Sequence, residues 1–267
     1  MNRALLPLMI LVCVAIAAGL AWLTLNRREP PQAAPPTTRR VDLPPFRRIA
    51  VDGIANVTLV QGDREAVEIR VPSGARGARV TVRNDTLRIS ASERSHSWTW
   101  MFGTHERNPA VRIVVLYKSI DGLALSGAVK VASGPMHADE LTIDASGGSS
   151  VRIEALQAKK LAVSGSGALD ARIAGSVDDE RVSISGAGSY HAKDLRAQHA
   201  KVDVSGVGSV VLRVEQTLDA SISGAGNVEY YGNPEVKQSV SGVGRVRHHE
   251  PDTAAADASL VRLLAAQ

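Results

Sequence analysis

Two sets of side chains in this 267-residue sequence have types and spacing that could carry chemistry. The first is seven serines, Ser126, Ser146, Ser164, Ser185, Ser205, Ser223 and Ser241, each followed by a glycine. A hydrolase serine sits in a G-x-S-x-G elbow, and none occurs here. The G-x-G that follows the later serines lacks the third glycine and the helix of a dinucleotide site. The second set lies in the segment Ser92 to Pro109, where Trp98, Trp100 and Phe102 are three of nine aromatic residues in the chain, beside His96 and His105. Alternate spacing puts the three rings on one side of a strand or loop. There they form either a platform that stacks on sugar faces or lies at a membrane interface, or a hydrophobic plug over the end of the fold.

Metal and carboxylate chemistry is weakly encoded. Glu93, His96, His105 and Glu106 share the aromatic segment, but two histidines nine residues apart with no third neutral ligand do not make a metal site, so none is expected. The run His248-His249 with Glu250 and Asp252 reads as a solvated terminus. A glycosidase or lyase needs paired carboxylates. Asp144 with Asp203, and Asp170 with Glu229, each fall three repeats apart, about 14 Å at the rise of stacked strands.

What positions these residues is the repeat itself. VSISGAGSY, VDVSGVGSV, ASISGAGNV and QSVSGVGRV follow three looser copies, LALSGAVKV, IDASGGSSV and LAVSGSGAL, and the seven serines recur every 18 to 21 residues. Such a period indicates a solenoid. The residue before each serine is apolar, the one before that small or polar, and the next mostly apolar again, the period-two alternation of a half-buried strand. Alternation resumes beyond the glycines, with Val131, Val151, Leu169, Tyr190, Val210, Val228 and Val246 in one column and Arg152, Asp170, His191, Glu229 and Arg247 in the next. The glycines Gly127, Gly147, Gly165, Gly186, Gly206, Gly224 and Gly242 are read as structural, because a tight coil corner leaves no room for a Cβ against the neighbouring rung. The serine ladder satisfies its own hydrogen bonds at that corner. Together these predict an all-β right-handed parallel β-helix, about 34 Å long for seven copies. An antiparallel sandwich stays open, and a leucine-rich horseshoe is disfavoured by the missing L-x-x-L-x-L-x-x-N pattern.

The repeated SG-x-G-x-V phrases, with the opening GIANVTLVQGD and a hairpin, resemble the family "putative auto-transporter adhesin, head GIN domain", a group of bacterial envelope proteins. The resemblance covers about Phe46 to Arg247. It implies the solenoid architecture and, by label, adhesion; it brings no catalytic or ligand residue and no cofactor.

Before the repeats, Ala4 to Leu25 run 22 positions without a charge, between Arg3 and Arg27-Arg28. Residues 1–28 therefore read as an uncleaved membrane anchor helix or as a secretory signal cut near Ala15-Ile16-Ala17. Val12 before Cys13 argues against a lipoprotein. Residues 29–45 are a proline-rich linker. The folded domain is expected over 46–250, and 251–267 form a tail, either a short helix that lids the last rung, with Leu260, Leu263 and Leu264 at helical spacing after Asp257, or a disordered end. Asp52-Gly53-Ile54-Ala55-Asn56-Val57 matches the repeat and marks a first rung. Four periods would fit between it and Ser126, and this half is expected to be irregular, with strands near 67–71, 79–90 and 111–116, a turn at Asn84-Asp85, and antiparallel pairs capping the coil.

The formal charge of +4 reduces to +1 once the three arginines of residues 1–28 are set aside, and the outward columns mix both signs. No nucleic-acid partner is expected. The single cysteine, Cys13, excludes an intrachain disulfide. The expectation is an exported, periplasmic or cell-surface, non-catalytic envelope module that binds a glycan or protein. A structural or regulatory part of a membrane assembly is the second reading and an envelope carbohydrate-active enzyme the third. Candidate binding residues are Trp98, Trp100, Phe102, His96 and His105.

Overall fold

The computed structural model describes residues 37–71, 77–91 and 111–249. The anchor or signal segment, the start of the linker, all five candidate binding residues and the 251–267 tail lie outside the described residues.

Every described element is a strand. In chain order they are β1 (Thr37–Asp42), β2 (Arg48–Gln61), β3 (Ala66–Val71), β4 (Arg79–Arg83), β5 (Thr86–Ala91), β6 (Val111–Tyr117), β7 (Gly122–Ala145), β8 (Gly148–Gly165), β9 (Ala168–Ile184), β10 (Ala187–Val204), β11 (Val207–Ile222), β12 (Ala225–Tyr231), β13 (Glu235–Val240) and β14 (Val243–His248). β7 to β11 are each about as long as a repeat, because the chain keeps pairing with the previous turn as it bends, and β12 to β14 are shorter pieces of the last turns. β2, β7, β8, β9, β10, β11, β12 and β14 stack in parallel, in sequence order. The result is a β-solenoid of about six turns. Alternate residues point inward along each strand, giving columns such as Leu141, Leu161, Leu218 and Val163, Val182, Val202. No turn buries its apolar face alone, so stability comes from the stack.

The glycine corner has a direct steric cause. A Cβ on Gly206 would lie 1.9 Å from the carbonyl oxygen of Gly186, and one on Gly147 2.2 Å from that of Gly127. Backbone passes over backbone here, and only glycine permits the approach.

The third looser copy is corrected in register. The column holds Ser166-Gly167, not Ser164-Gly165: the Ser166 amide donates to Ala145 O at 2.9 Å, and a Cβ on Gly167 would lie 2.3 Å from Gly147 O. Ser164 instead pairs with Asp144 and Ser183 in the outward column two residues earlier. Gly165 faces inward, where Leu169 fills the space it leaves; a Cβ there would meet Leu169 Cδ2 at 2.9 Å. The shift also puts Ala171 rather than Leu169 beside Val151 and Tyr190, a small residue against the large ring.

The N-terminal half is the expected cap, built with fewer turns than the expected four periods. β2 stacks directly on β7, with Asp52 opposite Ser126 and Gly53 opposite Gly127. On its other side β2 pairs with β5 through its first half and β6 through its second, so one further rung lies beyond it. β4 closes β5, and β3 with β1 closes β6, all antiparallel. Asn84 and Asp85 turn the β4–β5 hairpin with φ of 49° and 56°, the left-handed conformation of a two-residue primed turn. The linker boundary is also corrected, since Thr37–Asp42 pairs with β3. That stretch holds no proline, so each amide is free to pair.

Candidate functional site

The serine corner holds structure. The amides of Ser146, Ser166, Ser205, Ser223 and Ser241 each donate to a carbonyl of the preceding turn at 2.9 Å. Ser146 Oγ donates to Leu125 O at 3.3 Å, Ser185 Oγ to Gly165 O at 3.4 Å, and Ser126 Oγ to the Asp52 carboxylate at 2.7 Å. These three hydroxyls have the preceding rung as their partner.

Two furrows flank this corner. The smaller, about 460 Å³, is lined by the outward residues before the bend, among them Arg88, Asp52, Asp144, Ser164 and Ser183. The larger, about 1230 Å³, follows the bend and passes every rung from Ile54 to Arg245. One wall is an apolar stripe through Ile54, Ala128, Ala168, Ala187, Val207 and Val243; the other is a polar ladder through Asn56, Lys130, Ser150, Ser189, Asn227 and Arg245. Its floor in the later rungs is glycine: Gly188, Gly208, Gly226 and Gly244. Gly188, Gly208 and Gly226 answer the bulky Ile184 and Val204 beneath them, whereas Leu169 stands where Gly165 is small. Val207 is 64 % exposed and Val243 82 %, uncommon values for valine in a closed solenoid. The shape is that of a track for an extended chain rather than a closed pocket.

The residues that flank 92–110 in the chain lie at this corner. Ala91 and Val111 belong to the outermost rung, and Ser90-Ala91 stands where the serine-glycine step stands elsewhere, Ser90 opposite Asp52 and Ala91 opposite Gly53. The segment holding Trp98, Trp100 and Phe102 is thus inserted in the chain where the furrows begin.

The carboxylate pairs do not converge. Asp144 and Asp203 share an outward column but are separated by Ser164 and Ser183. Asp170 is not in the Glu229 column at all, because the corrected register puts Arg172 there; it pairs with Arg172 at 2.7 Å. Among the described residues, no three His, Cys, Asp or Glu side chains gather as a metal site.

Three features escaped the sequence reading. Tyr230 stacks on His248 with ring centroids 5.0 Å apart, and Tyr231 on His249 at 5.3 Å. His248 Nε2 lies 2.7 Å from Gly232 O, and His249 Nε2 lies 3.1 Å from Glu229 Oε2. The signal was present, since the two tyrosines precede the two histidines by 18 residues, one repeat. The furrow itself, a track of small residues, carries no motif. Third, Glu180 interrupts an inward leucine column between Leu161 and Ala200 and is 3 % exposed. Tyr190 Oη donates to its Oε1 at 2.5 Å, and Oε2 has no partner among the described residues. Burial pushes the Glu180 carboxyl up to about 7, a shift the tyrosine bond only partly offsets. Burial and the neighbouring carboxyl together push the Tyr190 hydroxyl up as well.

Comparison with known proteins follows the fold. Residues 45–234 match the family model "Putative auto-transporter adhesin, head GIN domain". A crystal structure of a putative adhesin from Bacteroides fragilis NCTC 9343 is similar with a TM-score of 0.72 at 23 % identity, covering 81 % of this chain and 99 % of that one. A putative lipid binding protein from Parabacteroides distasonis ATCC 8503 gives 0.61 at 20 % identity, covering 80 % and 96 %. A putative adhesin from Parabacteroides merdae ATCC 43184 gives 0.56 at 18 %, covering 80 % and 96 %. No curated protein sequence matches the chain.

Proposed function

Because the chain belongs to the family "putative auto-transporter adhesin, head GIN domain", we propose that it is a non-catalytic cell-envelope module whose rigid, right-handed solenoid binds an extended envelope ligand, a glycan or a protein segment. The observation that carries this reading is the larger furrow, which runs unbroken past every rung from Ile54 to Arg245. A polymer laid along it meets the same pair of walls once per rung, about every 4.8 Å, so many weak contacts add along its length. The polar ladder supplies hydroxyl and amide partners, and the apolar stripe takes the less polar face of the ligand. Residues 4–25 tether the module to the membrane on its exported side. Trp98, Trp100 and Phe102, with His96 and His105, extend the same site at the furrow head, where their segment enters the fold. The exposed valines and the lipid binding named for the Parabacteroides distasonis protein put acyl chains among the ligands to test.

The test is retention of the full-length chain on envelope fractions, a glycan panel and lipid vesicles, alongside two variants. Ala187→Arg/Val207→Arg/Ala225→Arg fills the furrow from exposed positions, and Trp98→Ala/Trp100→Ala removes the rings. Loss of retention in the furrow variant with an unchanged melt is the expected result. Retention that survives the furrow substitutions would overturn the assignment.

A further inference from the structure

The two ends of the solenoid are treated differently. At the N-terminal end the outermost rung is covered by the chain's own antiparallel strands β1, β3 and β4. At the other end, among the described residues, β13 pairs only with β11 and β14 only with β12, so each leaves a row of backbone groups unpaired. The residues that continue the inward columns are half-open there. Val236 and Val246 are only partly buried against the core, and Val240 is 42 % exposed. An apolar edge of this kind invites pairing with any passing strand, and natural sheets cover or charge such edges.

We propose that this chain's own residues 250–267 cover the open C-terminal rung. Three observations point to that occupant. β14 ends at His248, so the segment begins at the edge itself. It carries Leu260, Val261, Leu263 and Leu264, an apolar set that matches the half-buried Val236 and Val246 and the exposed Val240. Its charge is complementary: Glu250, Asp252 and Asp257 against one Arg262, facing a rung that carries Lys237, Arg245 and Arg247 against one Glu235. Those three cations have no ion-pair partner among the described residues. A second copy fits less well, since antiparallel self-pairing of β14 centred on Arg245 or Val246 sets arginine opposite arginine, and like charges directly opposite are destabilising. Cover by the same chain also acts at the high effective concentration of a short tether. This inference is independent of the ligand furrow.

Hydrogen exchange on the full-length chain tests it. In Leu260→Asp/Leu263→Asp/Leu264→Asp the amides of Glu235–Val240 and Val243–His248 should exchange about tenfold faster than in the unsubstituted chain, with β8 to β10 unchanged. Lys237→Glu/Arg247→Glu, placed outside the furrow, should loosen the same amides by a smaller factor. Equal rates in all three proteins would overturn the proposal. So would protection that falls on dilution, which would assign the end to a second copy, or loosening of β8 to β10 as well, which would make the segment part of the core.

Discussion

Glu180 makes the stability of the solenoid depend on pH in a direction opposite to that of most carboxylates. Its side chain is enclosed between Leu161 and Ala200, with one oxygen bonded to Tyr190 and the other bare. Folding raises the carboxyl from 4.5 to about 7. At about 1.4 kcal/mol per pH unit this amounts to roughly 3 kcal/mol. A raised acid stabilises the fold while it is protonated. Its contribution is fully present below the unfolded value near 4.5 and is lost as pH rises through about 7. The full chain should therefore be about 3 kcal/mol less stable at pH 8 than at pH 4 on this account alone, roughly 6–12 °C in melting temperature for a domain of this size. Glu180→Gln keeps an acceptor for Tyr190 and removes the proton equilibrium. Thermal melts by circular dichroism from pH 4 to 8 on both proteins isolate the effect, because every other titrating group is shared. The variant should gain on the parent as pH rises. Parallel pH profiles would refute the reasoning and show that water reaches the carboxyl.

Other consequences concern the stack. Tyr190→Phe leaves both Glu180 oxygens without a donor and should cost about 1–3 kcal/mol in urea unfolding. Ile222→Asp puts an unpaired carboxylate at a fully buried inward position and should collapse the repeat region in circular dichroism. Gly167→Ala should destabilise more than Gly165→Ala, because the first presses on Gly147 O at 2.3 Å and the second on the movable end of Leu169 at 2.9 Å; the reverse order of melts would restore the register read from sequence.

Much of the architecture was legible because the solenoid writes its geometry into every copy. Glycine marks the corner where backbone crosses backbone, and alternation marks the face. The reading slipped at Ser164-Gly165-Ser166-Gly167, where two serine-glycine steps follow one another and both frames satisfy the pattern. Only contact with Gly147 decides between them, and that contact lies one turn away. The first half was harder for a related reason. Nothing local in Asp52-Gly53 says that its neighbour is Ser126-Gly127 across 74 residues, with β5 and β6 on its far side. Of the site, the corner serines were visible and their structural role with them. The furrow was not, since small residues on two walls announce room without naming a ligand, and Glu180 hid among surface acids Asp178 and Asp179 until the inward column exposed it.

The central claim is that an extended ligand lies along the stack. Hydrogen-exchange footprinting of the full-length chain with bound envelope glycan or protein tests it most directly. Protection should recur once per turn, at 128–130, 148–150, 168–170, 187–189, 207–209 and 225–227, and leave the opposite face unchanged. Protection confined to one rung, or absent from these positions while the ligand stays bound, would contradict the account.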